Sequence, residues 1–258
     1  MQSLNKGKLF IIGIGPGDTD FMIKRASDAI MESEIIIGND FYLDLIKPLI
    51  GDKEVIYSSM GKEVERARRC IELAETKKVA MISGGDPGIY GMAGIVIEII
   101  KRDNSGVEYE VIPGVTAATA AASKTGSPLS GDYATVSLSD LLTPIEIIEK
   151  RLDLAFQMGV PVVLYNPKSN GRPHNLAIAL EKALKYKNKD TPVAVVKNSH
   201  RSGEEIRYYK LSELFEDDEF VDMRSVVIIG GEESEFIGDD ENIRGIVTPR
   251  GYDRKYVY

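Results

Sequence analysis

The chain has 258 residues, with 40 aspartates and glutamates against 32 lysines and arginines, which gives a net charge of −8 at pH 7. This negative charge argues against a general nucleic-acid binder or a protein of anionic membrane surfaces, because both partners require a positive field. One cysteine excludes an intramolecular disulfide, and two histidines leave little material for a zinc site, so we expect no metal.

The segment ERARRCIELAE, which contains Cys70, predicts a helix in which the cysteine is a small, half-buried apolar residue. The sequence contains no run of 18 apolar residues, and its first eight residues, MQSLNKGK, contain no hydrophobic signal region. We therefore expect a cytoplasmic protein that does not enter a membrane.

The first half of the chain alternates short β-branched runs with helical patterns. Strands are expected at residues 8–14, 34–38, 54–58, 78–83 and 109–113, and helices near residues 20–32, 61–76 and 89–102. The continuous apolar character of the strands suits a sheet that is covered on both faces. The pattern predicts a mostly parallel sheet flanked by helices.

After about residue 115 the pattern changes to a small-residue segment, which predicts a short helix followed by a linker. Strands are then expected at residues 133–139, 160–166, 191–198, 205–211 and 224–231, and helices at 144–158 and 171–187. The segment EEIRYYKLSEL favours a strand antiparallel to its neighbours. We therefore expect an α+β half with a mixed sheet.

The helix at 144–158 is predicted to begin with Thr143 as its N-cap, Pro144 at the first helical position and Glu146 completing a capping box. Its expected buried face consists of Ile145, Ile148, Leu152, Ala155 and Phe156. The acidic stretch EESEFIGDDEN is interpreted as a solvated tail. Together the patterns predict an N-terminal domain at residues 1–125, a C-terminal domain at 126–245 and a tail at 246–258.

Three glycine-rich turns fall at predicted strand ends: GIGPGD at 13–18, SGGDPGIYG at 83–91 and IPGVTAAT at 112–119. In open parallel sheets, ligands bind beyond the carboxyl ends of the strands. Three such turns at one edge therefore predict a binding site. The alternative is that each turn is only a tight connection between a strand and a helix.

The residues of these turns argue against a phosphate ligand. Asp18 occupies the third glycine position of the dinucleotide fingerprint, and the sequence contains no G-x-x-x-x-G-K-[ST] loop. At close range, Asp18 and Asp86 would repel a phosphate. A nucleoside-like or cationic ligand without phosphates is favoured, and S-adenosylmethionine fits that description.

The motifs GIGPGD, GGDPGIYG, PGVTA, YNP at 165–167 and VVKN at 195–198 have the order and spacing of the tetrapyrrole methylases, which the chain resembles from about residue 8 to residue 252. The resemblance implies a two-domain α/β fold: a parallel-sheet βαβ domain, a mixed-sheet α+β domain and an active-site cleft between them. It also implies S-adenosyl-L-methionine as cosubstrate.

Within this family, the segments SLSDLLTPIEIIEKRL, LYNPKSNGRP and TPRGY resemble one branch of cobalamin biosynthesis. That branch methylates C17 of precorrin-3B or cobalt-factor III and contracts the ring. Asn166 departs from the branch that methylates uroporphyrinogen, and Thr116 with Ala117 departs from the branch that acts at C11.

The resemblance also implies which residues hold S-adenosylmethionine. From the first domain these are Pro16, Gly85, Asp86, Ile89, Thr116 and Ala117. From the second domain they are Asn166, Ala194, Ile229 and Gly230, which would enclose the adenine and the ribose.

Ring contraction requires proton transfer, for which an acid or a base would help. Asp18, after the first glycine turn, is one candidate, and its alternative role is to cap the helix near residue 20. His200 is the second candidate because imidazole titrates near neutral pH, and its alternative is an ordinary surface residue. Tyr165 is either a hydrogen-bond donor to a ligand or a core residue.

Basic residues follow the predicted strands of the second half: Lys168, Arg172, His174, Lys197 and Arg201. Arginine binds carboxylates through two parallel hydrogen bonds. Lys168, Arg172, Lys197 and Arg201 are therefore expected to bind the carboxylates of a tetrapyrrole substrate. The alternative is that they are solvated loop charges.

Two other functions stay open from the sequence. The chain could be a related methyltransferase, acting on precorrins at C11 or C20 or on diphthine or ribosomal RNA, or it could sense S-adenosylmethionine without catalysis. The resemblance implies a homodimer, and the negative charge and the lack of a long apolar run predict that the protein binds neither nucleic acid nor membranes. The sequence does not distinguish a cobalt-containing substrate from a metal-free one.

Overall fold

The computed structural model describes residues 7–239 and 242–257, which form two compact units, Met1–Ala117 and Ala118–Tyr258. The division lies eight residues before the boundary expected from the sequence. The reason is that helix α6 (Ala117–Lys124) is bound to the second unit: the Ala118 N–H donates to the Tyr165 hydroxyl at 2.7 Å. Just after the helix, the Ile246 N–H donates to the Thr125 carbonyl at 2.7 Å, so residues of the predicted tail also belong to this unit.

The first unit contains a five-stranded sheet with the order β3-β2-β4-β1-β5, in which every neighbouring pair is parallel. Its strands are β1 (Lys8–Gly13), β2 (Ile35–Gly38), β3 (Glu54–Tyr57), β4 (Lys78–Ser83) and β5 (Tyr109–Ile112). Its helices are α1 (Lys24–Glu32), α2 (Asp40–Leu45), α3 (Lys47–Ile50), α4 (Glu63–Leu73) and α5 (Ala93–Arg102), with a 3-10 turn at Thr19–Phe21. The expected parallel sheet is confirmed, whereas α2 and α3 were not predicted.

Both faces of this sheet are buried, as the apolar strands predict. Along β1, Leu9 and Ile11 join one core cluster, while Phe10 and Ile12 join the other. All four side chains are at most 1% exposed. Burial of each such side chain stabilises the fold by about 2 kcal/mol, which makes the central strands a rigid support for the turns at their ends.

The second unit contains a mixed sheet with the order β10-β9-β11-β8-β7 and a small sheet with the order β12-β13-β6. Its strands are β6 (Gly126–Ser127), β7 (Ala134–Ser137), β8 (Val162–Tyr165), β9 (Pro192–Lys197), β10 (Glu205–Lys210), β11 (Ser225–Ile229), β12 (Glu235–Asp239) and β13 (Asn242–Val247). Its helices, besides α6, are α7 (Ile145–Gln157), α8 (Asn175–Tyr186) and α9 (Leu211–Glu216), with a 3-10 turn at Tyr252–Arg254. The expected antiparallel pairing of β10 with β9 is confirmed.

Helices α7, α8 and α9 cover one face of this mixed sheet and form a single core with it. The predicted buried face of α7 is confirmed, with Ile148, Leu152, Ala155 and Phe156 buried and Ile145 packed at the margin. The predicted capping box is wrong. The helix begins at Ile145, so Pro144 is the N-cap, and no side chain caps the helix.

The acidic stretch at 232–242 is not a solvated tail. It forms β12 and the start of β13, which pair as an antiparallel hairpin, while residues 240 and 241 lie outside the described part of the chain. Phe236 and Ile237 are half-buried in β12. These two apolar residues stabilise the hairpin despite the surrounding charge. Cys70 lies in α4 as predicted, but it is fully buried and not half-buried.

Among the described residues, none of the helices is both long enough and apolar enough to cross a bilayer. The same residues contain no group of three or more histidine, cysteine, aspartate or glutamate side chains placed to hold a metal ion.

Candidate active site

The three glycine-rich turns of the first unit meet at the carboxyl ends of β1, β4 and β5. The Gly15 N–H donates to the Gly85 carbonyl at 3.1 Å, and the Gly85 N–H donates back to Gly15 at 2.8 Å. A Cβ on Gly13 would lie 2.6 Å from the Gly85 carbonyl oxygen, and a Cβ on Gly114 would lie 2.2 Å from the same oxygen. The glycines are therefore required because three backbones contact one another.

Asp86 fastens two of these turns. Its Oδ1 accepts from the Gly88 N–H at 2.7 Å, and its Oδ2 accepts from the Gly114 N–H at 3.0 Å. Hydrogen bonds to an ionised acceptor are among the stronger ones in proteins. The carboxylate therefore has a fixed position at the edge where the turns meet.

The structure brings together most of the first-unit residues expected to bind the cofactor. Gly85 has a left-handed φ of 63°, and a Cβ there would lie 3.8 Å from the Thr116 Cα and 3.9 Å from the Ala117 N. Pro16 is buried next to Gly15, whereas Ile89 is 40% exposed. Gly85, Asp86, Thr116 and Ala117 thus form one surface of backbone and small side chains.

Asp18 is exposed, and its Oδ1 accepts a hydrogen bond from the Asp20 N–H at 3.0 Å. It is the N-cap of the 3-10 turn at Thr19–Phe21. This contact supports the capping role that the sequence left open. A catalytic role for Asp18 stays a prediction.

In the second unit, the carboxyl ends of β7, β8 and β9 lie at one edge of the sheet. β7 and β8 are parallel, and β11 is antiparallel to both β8 and β9, so its amino end lies at the same edge. Three residues after β8 and β9 have left-handed φ angles: Asn166 (51°), Asn198 (51°) and His200 (57°). Strained loop conformations of this kind cluster at functional sites, which favours this edge as a ligand-binding region.

The basic residues at this edge are held by acidic partners. The Lys168 ammonium lies 2.6 Å from the Asp218 carboxylate, and the Lys197 ammonium lies 3.3 Å from the Asp222 carboxylate. Their side chains are only 24% and 19% exposed, so they are not solvated loop charges. Although burial opposes it, the Arg224 N–H and the Lys197 ammonium hold the pKa of Asp222 below its usual range.

The remaining basic residues differ in their surroundings. The Arg172 side chain is 10% exposed, and its Nη1 donates to the Ser139 hydroxyl at 3.0 Å. The Arg201 N–H donates to the Asn198 carbonyl at 2.9 Å, which tightens the turn after β9. His174 is exposed just before α8. Lys168, Arg172, Lys197 and Arg201 thus belong to the same edge as Asn166.

The second-unit residues expected to enclose adenine and ribose are not brought together. Ile229 pairs with Val162 at the start of β8, whereas Asn166 follows the end of that strand. Four residues of strand separate the two positions by about 13 Å. The Ile229 side chain lies in the core, and Ala194 is fully buried in the middle of β9.

Gly230 lies beside Ile229, and a Cβ there would meet the Ser234 Cβ at 2.7 Å. Gly230 therefore lies at the opposite edge of the sheet from Asn166, and its cofactor-binding role stays a prediction. The part of β11 that lies near Asn166 is its amino end, where Ser225 pairs with Lys197. The antiparallel direction of β11, which the apolar run RSVVIIGG does not reveal, is the reason for the difference.

The backbone N–H of His200 is hydrogen-bonded to Glu204, and its imidazole ring lies near Ser123. Its N–H donates to the Glu204 carboxylate at 2.6 Å, and its Nε2 lies 3.5 Å from the Ser123 hydroxyl. Burial opposes ionisation of Glu204, yet the His200 N–H and the Lys124 ammonium keep the pKa of that carboxylate below its usual range. Tyr165 is 9% exposed, and its hydroxyl accepts from the Ala118 N–H, as suits a core residue.

Residues 8–214 match the family model described as Tetrapyrrole (Corrin/Porphyrin) Methylases. The chain is 43% identical over 256 residues to the cobalt-factor III methyltransferase of Priestia megaterium, covering 97% of this chain but 46% of that relative. It is 44% identical to the probable cobalt-factor III C(17)-methyltransferase of Salmonella typhimurium, covering 95% and 99% of the two chains. The chain thus spans about half of one relative and nearly all of the other.

Among solved structures, the crystal structure of the methyltransferase CobJ has a TM-score of 0.87 to this chain. The two are 30% identical, and the match covers 94% of this chain and 100% of that one.

Proposed function

Since the chain belongs to the tetrapyrrole (corrin/porphyrin) methylases, we propose that it methylates C17 of cobalt-factor III, or of its metal-free counterpart precorrin-3B, and contracts the ring. The methyl donor is S-adenosylmethionine. The reaction belongs to cobalamin biosynthesis, and the protein acts as a homodimer in the cytoplasm.

The observation that carries this proposal is the 44% identity to the Salmonella typhimurium relative over nearly the full length of both chains. The segments that resembled the C17 branch, SLSDLLTP and LYNPKSNGRP, both lie at the edge of the mixed sheet where Asn166 and the basic residues are found. The Asn166 side-chain amide donates to the Ser137 hydroxyl at 3.0 Å, so the two segments are directly connected.

The surface of Gly85, Asp86, Thr116 and Ala117 suits the methionine end of the donor. The Asp86 carboxylate lies there as a fixed negative charge, which favours a cationic group and disfavours a phosphate. When bound, S-adenosylmethionine supplies an electrophilic methyl group and leaves as S-adenosylhomocysteine. The contribution of these residues is to hold the donor in line with the accepting carbon, because orientation supplies much of the rate of such a displacement.

At the edge of the mixed sheet, Lys168, Arg172, Lys197 and Arg201 provide the positive charge that a polycarboxylate substrate requires. Since Lys168 and Lys197 are already paired with aspartates, substrate carboxylates would compete with Asp218 and Asp222 for them. Asp18 and His200 are proposed to move protons during ring contraction.

The function is tested by incubating the protein without oxygen with methyl-labelled S-adenosylmethionine and cobalt-factor III, then analysing the pigment by mass spectrometry and NMR. We expect one added methyl group at C17 and a contracted ring. Methylation at C11 or C20 would show a different branch of the family. Donor binding without transfer to either cobalt-factor III or precorrin-3B would contradict the proposal and favour a sensor.

Two matched variants test the proton-transfer roles. Asp18→Asn keeps an acceptor for the Asp20 N–H, and His200→Asn keeps the backbone contact to Glu204 and suits the left-handed φ of 57°, so both should fold normally. If either residue moves a proton, its variant should accumulate methylated pigment with an uncontracted ring. Normal ring contraction by both variants would remove both assignments.

Sedimentation velocity tests the proposed homodimer. A single species with twice the mass of 28.4 kDa is expected at micromolar concentration. A monomer at the concentrations used for the activity assay would contradict it.

A further inference from the structure

A short loop of the second unit carries two leucines that are almost fully exposed. The loop spans residues 139–144 between β7 and α7, and we call it the Leu-Leu loop. Leu141 is 78% exposed and Leu142 is 98% exposed, whereas Leu138, just before the loop, is fully buried. Two adjacent leucines in water lose the stabilisation that burial would provide, which favours a contact with something outside this unit.

The base of the loop is fixed. The Leu138 N–H donates to the Tyr165 carbonyl at 2.9 Å, and the Asn175 side chain donates to the Leu138 carbonyl at 2.8 Å. Thus the loop leaves β7 at a defined position, and it begins at the edge of the sheet that contains the basic residues.

Arg172 holds the next part of the loop but leaves one donor unused. Its Nη1 donates to the Ser139 hydroxyl, while its Nε is buried and has no hydrogen-bond partner among the described residues. The Asp140 carboxylate lies 3.9 Å from that Nε, which is about 1 Å longer than a usual N–H···O hydrogen bond. Because buried donors are ordinarily paired, a small movement of the loop toward Arg172 would complete the contact.

The chemistry of this edge defines what fits it. Lys168, Arg172 and Lys197 are cationic, and the Leu-Leu loop, which contacts Arg172 through Ser139, carries two exposed apolar side chains. A flat conjugated ring with carboxylates around its rim matches both properties in one molecule. A purely polar anion would leave the leucines in water, and an uncharged apolar ligand would make no use of the cations beyond their existing pairs with Asp218 and Asp222.

We infer that Leu141 and Leu142 contact the face of the tetrapyrrole ring, and that Arg172 is the positioning residue that holds the loop through Ser139 and Asp140. This inference rests on the proposed function and adds a substrate-contacting element to it. Closure of the loop on the ring brings Asp140 into hydrogen-bond distance of the Arg172 Nε. The leucines act on substrate affinity and take no part in donor binding.

The first test is a double variant, Leu141→Ser with Leu142→Ser, compared with Leu154→Ser. Leu154 is a 55% exposed leucine near the carboxyl end of α7, so it controls for loss of an exposed leucine elsewhere. We expect the KM and the Kd for cobalt-factor III to rise about tenfold in the double variant, with kcat and the affinity for S-adenosylhomocysteine unchanged. Leu154→Ser should leave all four values unchanged.

The second test examines the positioning role of Arg172 by changing Asp140, the carboxylate that its Nε is proposed to bind. Asp140→Ala should raise the KM for cobalt-factor III several-fold, while Asp140→Glu, which keeps the carboxylate, should restore most of the affinity. If Asp140→Ala and Asp140→Glu behave alike, the positioning role is wrong.

Failure of the inference is distinguishable from failure of the function. If the wild-type protein neither binds nor methylates the macrocycle, the proposed function fails. If it methylates normally and the double leucine variant keeps its KM, only the inference is overturned. A double variant that keeps its KM but loses the dimer in sedimentation would show that the leucines contact a second copy of the chain instead.

Discussion

Gly114 should tolerate no side chain. In Gly114→Ala, the new Cβ would lie 2.2 Å from the Gly85 carbonyl oxygen, 2.9 Å from the Gly13 carbonyl carbon and 3.0 Å from the Gly13 oxygen. All three atoms belong to backbone, so no side chain can rotate away. One turn must therefore move, and the hydrogen bond from the Gly114 N–H to Asp86 would lengthen with it.

Two contributions set the size of the effect. Overpacking of a tightly packed site costs about 1–3 kcal/mol, and contacts with backbone lie at the upper end. Weakening a hydrogen bond to an ionised acceptor adds about 1.5 kcal/mol. We expect Gly114→Ala to lower the free energy of unfolding by about 3–4 kcal/mol in urea titrations, and to weaken binding of S-adenosylhomocysteine at least tenfold by calorimetry.

Gly94→Ala is the matched control. Gly94 lies in α5, and a Cβ there would meet no atom within 4 Å. Because alanine favours a helix over glycine, this variant should be more stable by about 0.5 kcal/mol, with unchanged ligand affinity. If Gly114→Ala is as stable as Gly94→Ala and binds the ligand normally, the close approach of the three turns is wrong.

Three further changes test electrostatic contacts. Asp86→Ala removes the acceptor of two backbone N–H groups and should lower stability by about 2 kcal/mol in urea, with Asp86→Asn intermediate. The Arg25 guanidinium lowers the pKa of Glu110 to about 2, so this pair contributes its full stability above about pH 4.5 and loses it as the pH falls toward 2. The loss in free energy of unfolding caused by Glu110→Gln should therefore be smaller at pH 3 than at pH 6. Burial lowers the pKa of Lys187 to about 8, so the folded state becomes more stable as the pH rises from about 8 to 10.5. Lys187→Met should therefore unfold at a higher urea concentration than wild type at pH 7. The difference between the two unfolding midpoints should shrink at pH 10.

The fold was predictable where one physical pattern dominated. The apolar strands of the first unit, such as IIIG in β2, have no polar face, and only a parallel sheet covered on both sides buries them fully. Short amphipathic pieces such as α2 and α3 were missed because six and four residues provide too few turns for a helical period to show. Strand β12 was missed because the charges of the acidic stretch outnumber the two half-buried apolar residues of the strand.

The candidate site was predictable in its first unit and less so in its second. Glycine turns at the ends of parallel strands lie together by topology, so Gly85 and Thr116 could be placed without coordinates. In the mixed sheet, the direction of β11 decides whether Ser225 or Ile229 lies beside Asn166, and direction depends on pairing between distant segments. Ion pairs such as Lys168 with Asp218 span 50 residues and carry no local signal.

The glycine turns exclude a phosphate for a stronger reason than charge repulsion alone. Phosphate-binding loops present free backbone N–H groups to the ligand. Here those groups are already engaged: the N–H groups of Gly15 and Gly85 bond to each other's carbonyls, those of Gly88 and Gly114 bond to Asp86, and that of Asp20 bonds to Asp18. Backbone carbonyls and the two carboxylates therefore occupy donors that a phosphate would need. The same arrangement leaves a compact, negatively charged surface, which suits a cationic methyl donor.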